Sequence, residues 1–441
     1  MGSWRRPWPA SLLLLAVLAA YANAFGGSFQ FDDFKVIVRQ PAVHSLVAWW
    51  DSMPGIRPLL KLSYALSWTA AGGGTPAFHA VNVALHAANV LLVAAVLEEL
   101  WRRIGIADAG FAAFAGALLF ALHPAHTEAV TYLSGRSSSM MAFFYLASVF
   151  AYLRGGPRWL SPALFLAALA TKEAAVTLPL ALLLCDALDP RRPLDLRRQW
   201  PHWLVLVAGL ALMAAVPRYR EMLETSLALR SFAEQWQLQL GAIARHAGVL
   251  ILAVPPNIDP QVAPLPAAAG FAVLAAIGVG FALVRAQPWH AFALLWFFLH
   301  LAPTNSLFPR LDAVNDRQLY LASIGPLALA GLALALVPRW RVAILTLLAV
   351  ILGAATALRN MDYRSEAALW SATVEQSPRS ARAWNNLGYA RQLEGRRDEA
   401  CAGYDRALRI DPQYLQARIN RLELRCSPDP RSPGAAPGTP R

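Results

Sequence analysis

The stretch Val342 to Leu358, VAILTLLAVILGAATAL, carries no charge over 17 residues, and Arg339, Arg341 and Arg359 stand at its ends. A helix of that length rises about 25 Å, close to the thickness of a bilayer's hydrocarbon core. It reads as a membrane span with basic flanks. Working outward, ten further apolar segments of the same kind lie upstream, at 8–24, 78–100, 108–122, 139–153, 159–170, 174–188, 202–217, 266–284, 289–302 and 319–337. The expected fold class is all-α: a polytopic membrane helical bundle of about eleven spans.

Composition points the same way. Of 441 residues 57% are hydrophobic and 15% charged, too apolar for two or three soluble domains. The formal net charge of +12 would suit nucleic acid in a soluble protein. Here Arg gathers beside the apolar segments and forms no basic stripe with interleaved aromatics, so the bilayer is the expected partner and nucleic acid is not.

Arg102-Arg103, Arg154 with Arg158, the run from Arg191-Arg192 to Arg197-Arg198, Arg285, and Arg339 with Arg341 mark cytoplasmic turns. An odd number of spans with the N-terminus inside puts the C-terminal part on the non-cytoplasmic side. In a bacterium the membrane is the inner one. The start, with Arg5, Arg6, an apolar run and Ala22-Asn23-Ala24, fits an uncleaved first span or a cleavable signal peptide; both leave residue 25 outside. Leu238 to Val254 is left over. Arg245 and His246 in its middle are costly in lipid unless they face a protein interior or an aqueous cavity, so a re-entrant or interior-lying helix is expected.

Under this topology the polar residues of the apolar part gather in the outer loops. The first, 25–76, holds Phe31-Asp32-Asp33-Phe34, then Asp51, then Arg57-Pro58-Leu59-Leu60-Lys61 ahead of a short amphipathic surface helix at Leu62 to Leu66. Adjacent buried carboxylates repel, so one pKa rises and a proton acceptor results; the plainer reading of Asp32 and Asp33 is a solvated turn. The next loop carries His123, His126 and Glu128, then Ser134-Gly135-Arg136. These are metal-ligand types without the paired spacing of a zinc helix, so they read as an interfacial polar network or as holders of an anionic substrate. Lys172 and Glu173 stand at a membrane edge, where snorkelling also accounts for them. The last outer loop runs from Ala302 through Arg310 to Asn315-Asp316-Arg317-Gln318, and Arg317 is suited to grip a phosphate with its fork.

From Ala381 the composition changes. Trp384, Leu387, Gly388, Ala400, Tyr404, Ala407 and Pro412 fall at the spacing of one 34-residue tetratricopeptide (TPR) unit, with Arg391 where its first helix usually has Tyr. Glu366 to Ser377 resembles the second helix of a preceding unit and Leu415 to Arg425 the first helix of a following one. So short an array needs a surface to dock on, and the outer loops supply it. The domains expected are 1–358 in the membrane, a TPR-like helical domain at 359–426, and a disordered tail at 427–441, rich in Pro, Gly and Ser. Of three cysteines, Cys185 lies in an apolar run; Cys401 and Cys426 share the C-terminal domain, where a disulfide is one option if it faces an oxidising compartment, though nothing in the sequence fixes their distance.

Phe31-Asp32-Asp33, Arg57-Pro58-Leu59, Phe78-His79-Ala80-Val81-Asn82 with Leu85-His86, and Leu122 to Val130 with Gly135-Arg136 together resemble blocks of the transmembrane and TPR-containing O-mannosyltransferases and their bacterial relatives. Thr171-Lys172-Glu173, Pro303-Thr304-Asn305 and Arg317 with Leu319-Tyr320 are similar to later blocks in the same order. Asp316 stands where that pattern has Glu, and the TPR array is shorter than is usual there. The resemblance implies the GT-C architecture of multi-span glycosyltransferases. It also implies a polyprenyl-phosphate sugar as donor, mannose-like, and transfer to an acceptor hydroxyl on the non-cytoplasmic side. Asp32 or Asp33 would be the catalytic base. Arg57, Lys61, His123, His126, Glu128, Arg136, Lys172, Glu173, Arg245 and Arg317 are the candidates for holding donor phosphate or substrate, with an acceptor protein or glycan met by the TPR domain. No cofactor is certain from it, and a divalent metal is possible but not expected. The competing reading is a non-catalytic membrane scaffold whose TPR face binds a partner protein. A transporter would need ionisable residues deep in several spans and an internal repeat, and neither is seen apart from Arg245 and His246.

Overall fold

The structure is a computed structural model that describes residues 8–53, 55–190, 195–305, 310 and 312–426. The expected disordered tail, Arg5-Arg6 and Arg191-Arg192 lie outside the described residues. Among those described, every regular element is helical and no strand occurs.

In chain order the α-helices are α1 (Trp8–Tyr21), α2 (Leu46–Asp51), α3 (Pro58–Ala71), α4 (Thr75–Arg103), α5 (Ala109–Leu122), α6 (Thr127–Val130) and α7 (Arg136–Arg154). Then follow α8 (Leu160–Thr171), α9 (Leu178–Leu188), α10 (Leu196–Ala215), α11 (Pro217–Leu227), α12 (Phe232–Leu250), α13 (Ala269–Leu283) and α14 (Pro288–Leu301). The last are α15 (Leu319–Ala322), α16 (Ile324–Ala335), α17 (Arg341–Asp362), α18 (Glu366–Gln376), α19 (Ala381–Leu393), α20 (Arg397–Ile410) and α21 (Leu415–Glu423). Each apolar segment read in the sequence is helical. Pro9–Gly26, α4 and α17 are long and apolar enough to cross a membrane, six such spans result if each bent pair counts as one, and α8, α13 and α14 are shorter apolar helices.

The bends matter because they bring polar residues to one end of the bundle. α5 and the segment Pro124–Val130 meet at 55°, and α10 and α11 at 82°. Proline explains both: Pro124 and Pro217 cannot continue the preceding hydrogen-bond ladder, and each forces the residue before it into extended backbone. Asp316–Ala322 and α16 meet at 54° in the same region.

Close packing fixes the bundle. α5 crosses α16 where Gly116 faces Gly331, and a Cβ on Gly331 would lie 2.4 Å from the Gly116 nitrogen. Small residues let the two backbones approach, the main source of helix association where lipid removes the hydrophobic drive. Trp101, Phe120, Tyr145 and Trp296 fill the interior around this crossing.

α3 is longer than the short surface helix expected at Leu62 to Leu66. It turns Tyr64 and Ala65 inward, and the Tyr64 hydroxyl donates to the Leu133 carbonyl at 3.2 Å. The leftover segment forms α12, opened by a capping box between Ser231 and Glu234. His246 on α12 is buried against Gln318, 2.9 Å away, so this helix lies on residues 313–318. Beyond α17, helices α18 to α21 pack each on the next, and a Cys401–Cys426 disulfide fastens α20 to the end of α21.

Candidate functional site

Two loops and three bends converge where α4 and α7 begin and α6 and α17 end. Gly135 closes the turn between α6 and α7, since a Cβ there would meet the Glu128 carbonyl oxygen at 2.0 Å. That turn presents Ser134 to the first loop.

The adjacent aspartates part company here. Asp33 is buried: one carboxylate oxygen accepts from the Gln30 amide at 3.0 Å, the other from the Ser134 amide at 2.8 Å and from the Ser134 hydroxyl. Burial pushes its carboxyl up to about 7, against those hydrogen bonds. Asp32 is the more open of the two, its side chain 36% exposed. Its amide donates to the Tyr132 hydroxyl at 2.9 Å and its carboxylate lies 4.0 Å from Arg317. Burial raises the Asp32 pKa and Arg317 works against the rise.

Arg317 is the hub. Its Nε is 3.5 Å from Glu128 Oε1, and its guanidinium lies 5.9 Å from the Tyr132 ring centroid. Glu128 uses its other oxygen to accept the amides of Asp316 and Arg317 at 2.7 and 3.2 Å, holding the loop in place. At 3.5 and 4.0 Å neither carboxylate contact of Arg317 is a close hydrogen bond, so the fork keeps donors for an anion.

Other cations stand near. Arg57, at φ 53° just before Pro58, adopts a left-handed conformation unusual for that position and grips Glu173 bidentately at 3.0 and 2.7 Å. Tyr219 donates to the same carboxylate at 3.0 Å. Against the effect of burial, Arg57 holds Glu173 down to about 2. Lys172 is buried with the Ser138 hydroxyl as hydrogen-bond partner at 2.7 Å. Burial, then the charges of Arg317, Arg57 and Arg310, hold its pKa well below the ordinary value. Arg310 feels Arg317 and Arg57 in turn.

The remaining candidates sit elsewhere. Lys61, one turn on from Arg57, is partly buried, and that burial lowers its pKa. His123 bonds the Leu250 carbonyl at 3.0 Å and accepts from the Ala125 amide; His126 bonds the Phe120 carbonyl and the Ser323 hydroxyl at 2.7 and 2.9 Å. Both rings thus spend both nitrogens on the protein, the polar network that the sequence offered as one reading. Arg136 is buried and binds Asn82, Ser63, Ser67 and Phe78, tying α3 and α4 to α7. Arg245 pairs with Asp316, whose other oxygen accepts the Asn257 amide at 2.6 Å, so it braces the loop that carries Arg317. Among the described residues no group of three or more His, Cys, Asp or Glu is gathered to hold a metal ion.

Sequence reading passed over Tyr132, Ser138, Tyr219 and the role of Arg310. Arg310 lay in a loop already read as outer, and Tyr219 sits between Arg218 and Arg220 just past an apolar segment; both signals were legible.

Protein O-mannosyl-transferase Tmtc1 of Drosophila melanogaster is 42% identical over 193 residues, 38% of this chain and 22% of that protein. A protein O-mannosyl-transferase of Caenorhabditis elegans is 23% identical over 92% of this chain and 63% of its own length. Over most of its length the chain is similar to proteins named as O-mannosyl-transferases. Tmtc3 of Drosophila melanogaster, 25% identical, also aligns with 92% of the chain, and the match covers 56% of that O-mannosyltransferase. The chain therefore spans less than two thirds of each of these relatives. No family model and no solved structure matches it.

Proposed function

We propose that this chain is a GT-C type membrane glycosyltransferase that passes a mannose-like sugar from a polyprenyl-phosphate donor to an acceptor hydroxyl on the non-cytoplasmic side. The observation that carries the reading is the pairing of one accessible carboxylate, Asp32, with Arg317, whose guanidinium keeps donors to spare beside Lys172. Homologues named as protein O-mannosyltransferases support it.

In the step proposed, Asp32 takes the acceptor hydroxyl's proton as its oxygen bonds to the anomeric carbon. The bond from that carbon to the donor phosphate oxygen breaks, and the electron pair leaves with the phosphate. Arg317 and Lys172 hold the departing anion, with Arg57 and Arg310 adding field, where charge develops in a site partly shielded from water. Asp33 is a strut rather than the base, because its oxygens are committed to Gln30 and Ser134. The wider architecture belongs to the same proposal: about eleven spans over 1–358, a TPR-like unit over 359–426 that receives the acceptor, and an inner-membrane location in a bacterium. The disulfide favours an oxidising side for that unit.

The test is Asp32→Asn against wild type in a strain lacking the protein, read by its glycan profile and by sugar transfer with purified protein. Losing a general base costs about 10²- to 10⁴-fold, so transfer is expected to fall by that amount while insertion is unchanged. If Asp32→Asn restored the glycan profile as wild type does, the enzyme reading would give way to a scaffold.

A further inference from the structure

A second polar concavity lies at the opposite end of the bundle from Arg317, and three helices run between the two. α7 starts at Arg136 and ends at Arg154; α8 starts at Leu160 and ends at Thr171, beside Lys172; α10 starts at Leu196 and leads into α11, whose Tyr219 meets Glu173. The 19 residues of α7 rise about 28 Å. At this far end the helix termini open a cavity of about 480 Å³ walled by Tyr152, Arg158, Ser161, Arg197, Arg198 and His202.

Most polar groups there are already engaged. Asp195 caps α10 by accepting the Arg198 amide at 3.1 Å. Arg198 donates to the Tyr152 carbonyl and lies 4.1 Å over its ring, and His202 bonds the Ser161 hydroxyl at 2.8 Å. Arg158 and Arg197 are exposed and make no ion pair or side-chain hydrogen bond among the described residues. Trp159 and Trp200 beside them are 69% and 60% exposed, an arrangement that suits the headgroup level of a bilayer, where indoles collect. Snorkelling accounts for a basic side chain on a convex helix end but not for two unpaired guanidiniums at a cavity between helices.

We propose that this cavity binds a phosphate-bearing anion through Arg158 and Arg197, the headgroup of an anionic phospholipid. Guanidinium forks match phosphate oxygens, and basic pockets between membrane helices take such headgroups. The proposal rests on reading these helices as membrane spans, but not on sugar transfer. The test is binding, so its failure leaves the reading of Asp32 untouched.

The full chain would be reconstituted in nanodiscs with phosphatidylcholine in excess over phosphatidylglycerol, and the lipids retained on release counted by native mass spectrometry. Wild type is expected to keep phosphatidylglycerol selectively. The Arg158→Gln, Arg197→Gln double variant is expected to keep roughly tenfold less. The double Lys variant, which preserves charge and guards against misfolding, falls between them, and Arg418→Gln, an exposed arginine elsewhere, matches wild type. A calorimetric titration with inorganic phosphate in lipid-free detergent is the second arm. Phosphate binding lost in the double Gln variant, without selective lipid retention, would assign the same cavity to a free phosphate. Equal phosphatidylglycerol retention by wild type and the double Gln variant, with no phosphate binding, overturns the proposal.

Discussion

Phe31 sets the backbone on which the placement of Asp32 depends. Its φ of 47° is in the left-handed region, which costs a bulky residue about 1–3 kcal/mol. The compensation comes from distant residues: Glu366 accepts the Phe31 amide, the Trp370 ring meets Phe31 edge-on at 5.2 Å, and Tyr132 receives the next amide. Charge around Asp32 supports a pH prediction. Burial raises its pKa, Arg317 lowers it and Asp312 raises it. Asp312→Asn removes a raising charge and frees Arg382, whose charge lowers the Asp32 pKa, from one of its two ion pairs. More Asp32 is then ionised at a given pH, so the acid limb of kcat/KM is expected to move to lower pH; an upward shift would point to another base. Asp33 calls for a different measurement. With its folded pKa at about 7, above the usual aspartate value of about 3.9, the folded chain binds more protons than the unfolded one between those values. On this group alone, stability is fully present below about pH 4 and falls as pH rises through about 7. Asp33→Asn removes that slope. It also costs about 1–3 kcal/mol, because an amide nitrogen now faces a backbone donor, and a pH series of thermal unfolding reads both effects. In the sequence the two aspartates are equal neighbours. What separates them is Ser134, 101 residues away, whose approach depends on a turn that no local pattern announces.

Helices are the scale at which the sequence was most legible. Apolar length alone located each apolar helix, and α12, which carries Arg245 and His246, is not among the helices long and apolar enough to cross a membrane. Bends were less visible, although Pro124 and Pro217 mark two of them, and the docking of α18 and α19 was legible as a need for the outer loops but not residue by residue. The contacts are specific. Arg382 on α19 pairs with Asp259 and with Asp312, the latter at 2.7 Å, and lies 5.9 Å from the Phe31 ring, so the C-terminal helices hold the loops that flank Asp32. Glu366→Ala leaves the Phe31 amide without its acceptor. Transfer is expected to drop roughly 10- to 100-fold through kcat, with donor KM unchanged. The conservative Glu366→Gln, which still offers an oxygen, should recover most of the loss. A change confined to KM would separate the C-terminal helices from the placement of Asp32.

For the molecule as a whole, the distribution of Arg makes a prediction that the helices alone do not. A reporter fused after Arg425 is expected to behave as exported, and cytoplasmic behaviour would remove the outer loops from the argument. The Cys401–Cys426 bridge gives an independent check. Closing a loop of this size stabilises by about 3 kcal/mol in the chain-entropy view, so the double Ser variant should unfold its C-terminal helices at lower temperature while the membrane helices are unaffected. Both cysteines also come after α17, the last of the apolar helices. On the proposed topology their oxidation cannot precede delivery of α17 to the membrane. In a pulse-chase experiment the oxidised form is a clock: its faster non-reducing migration should appear only after the earlier helices have become protected from protease, and its half-time measures how long biogenesis of the whole chain takes.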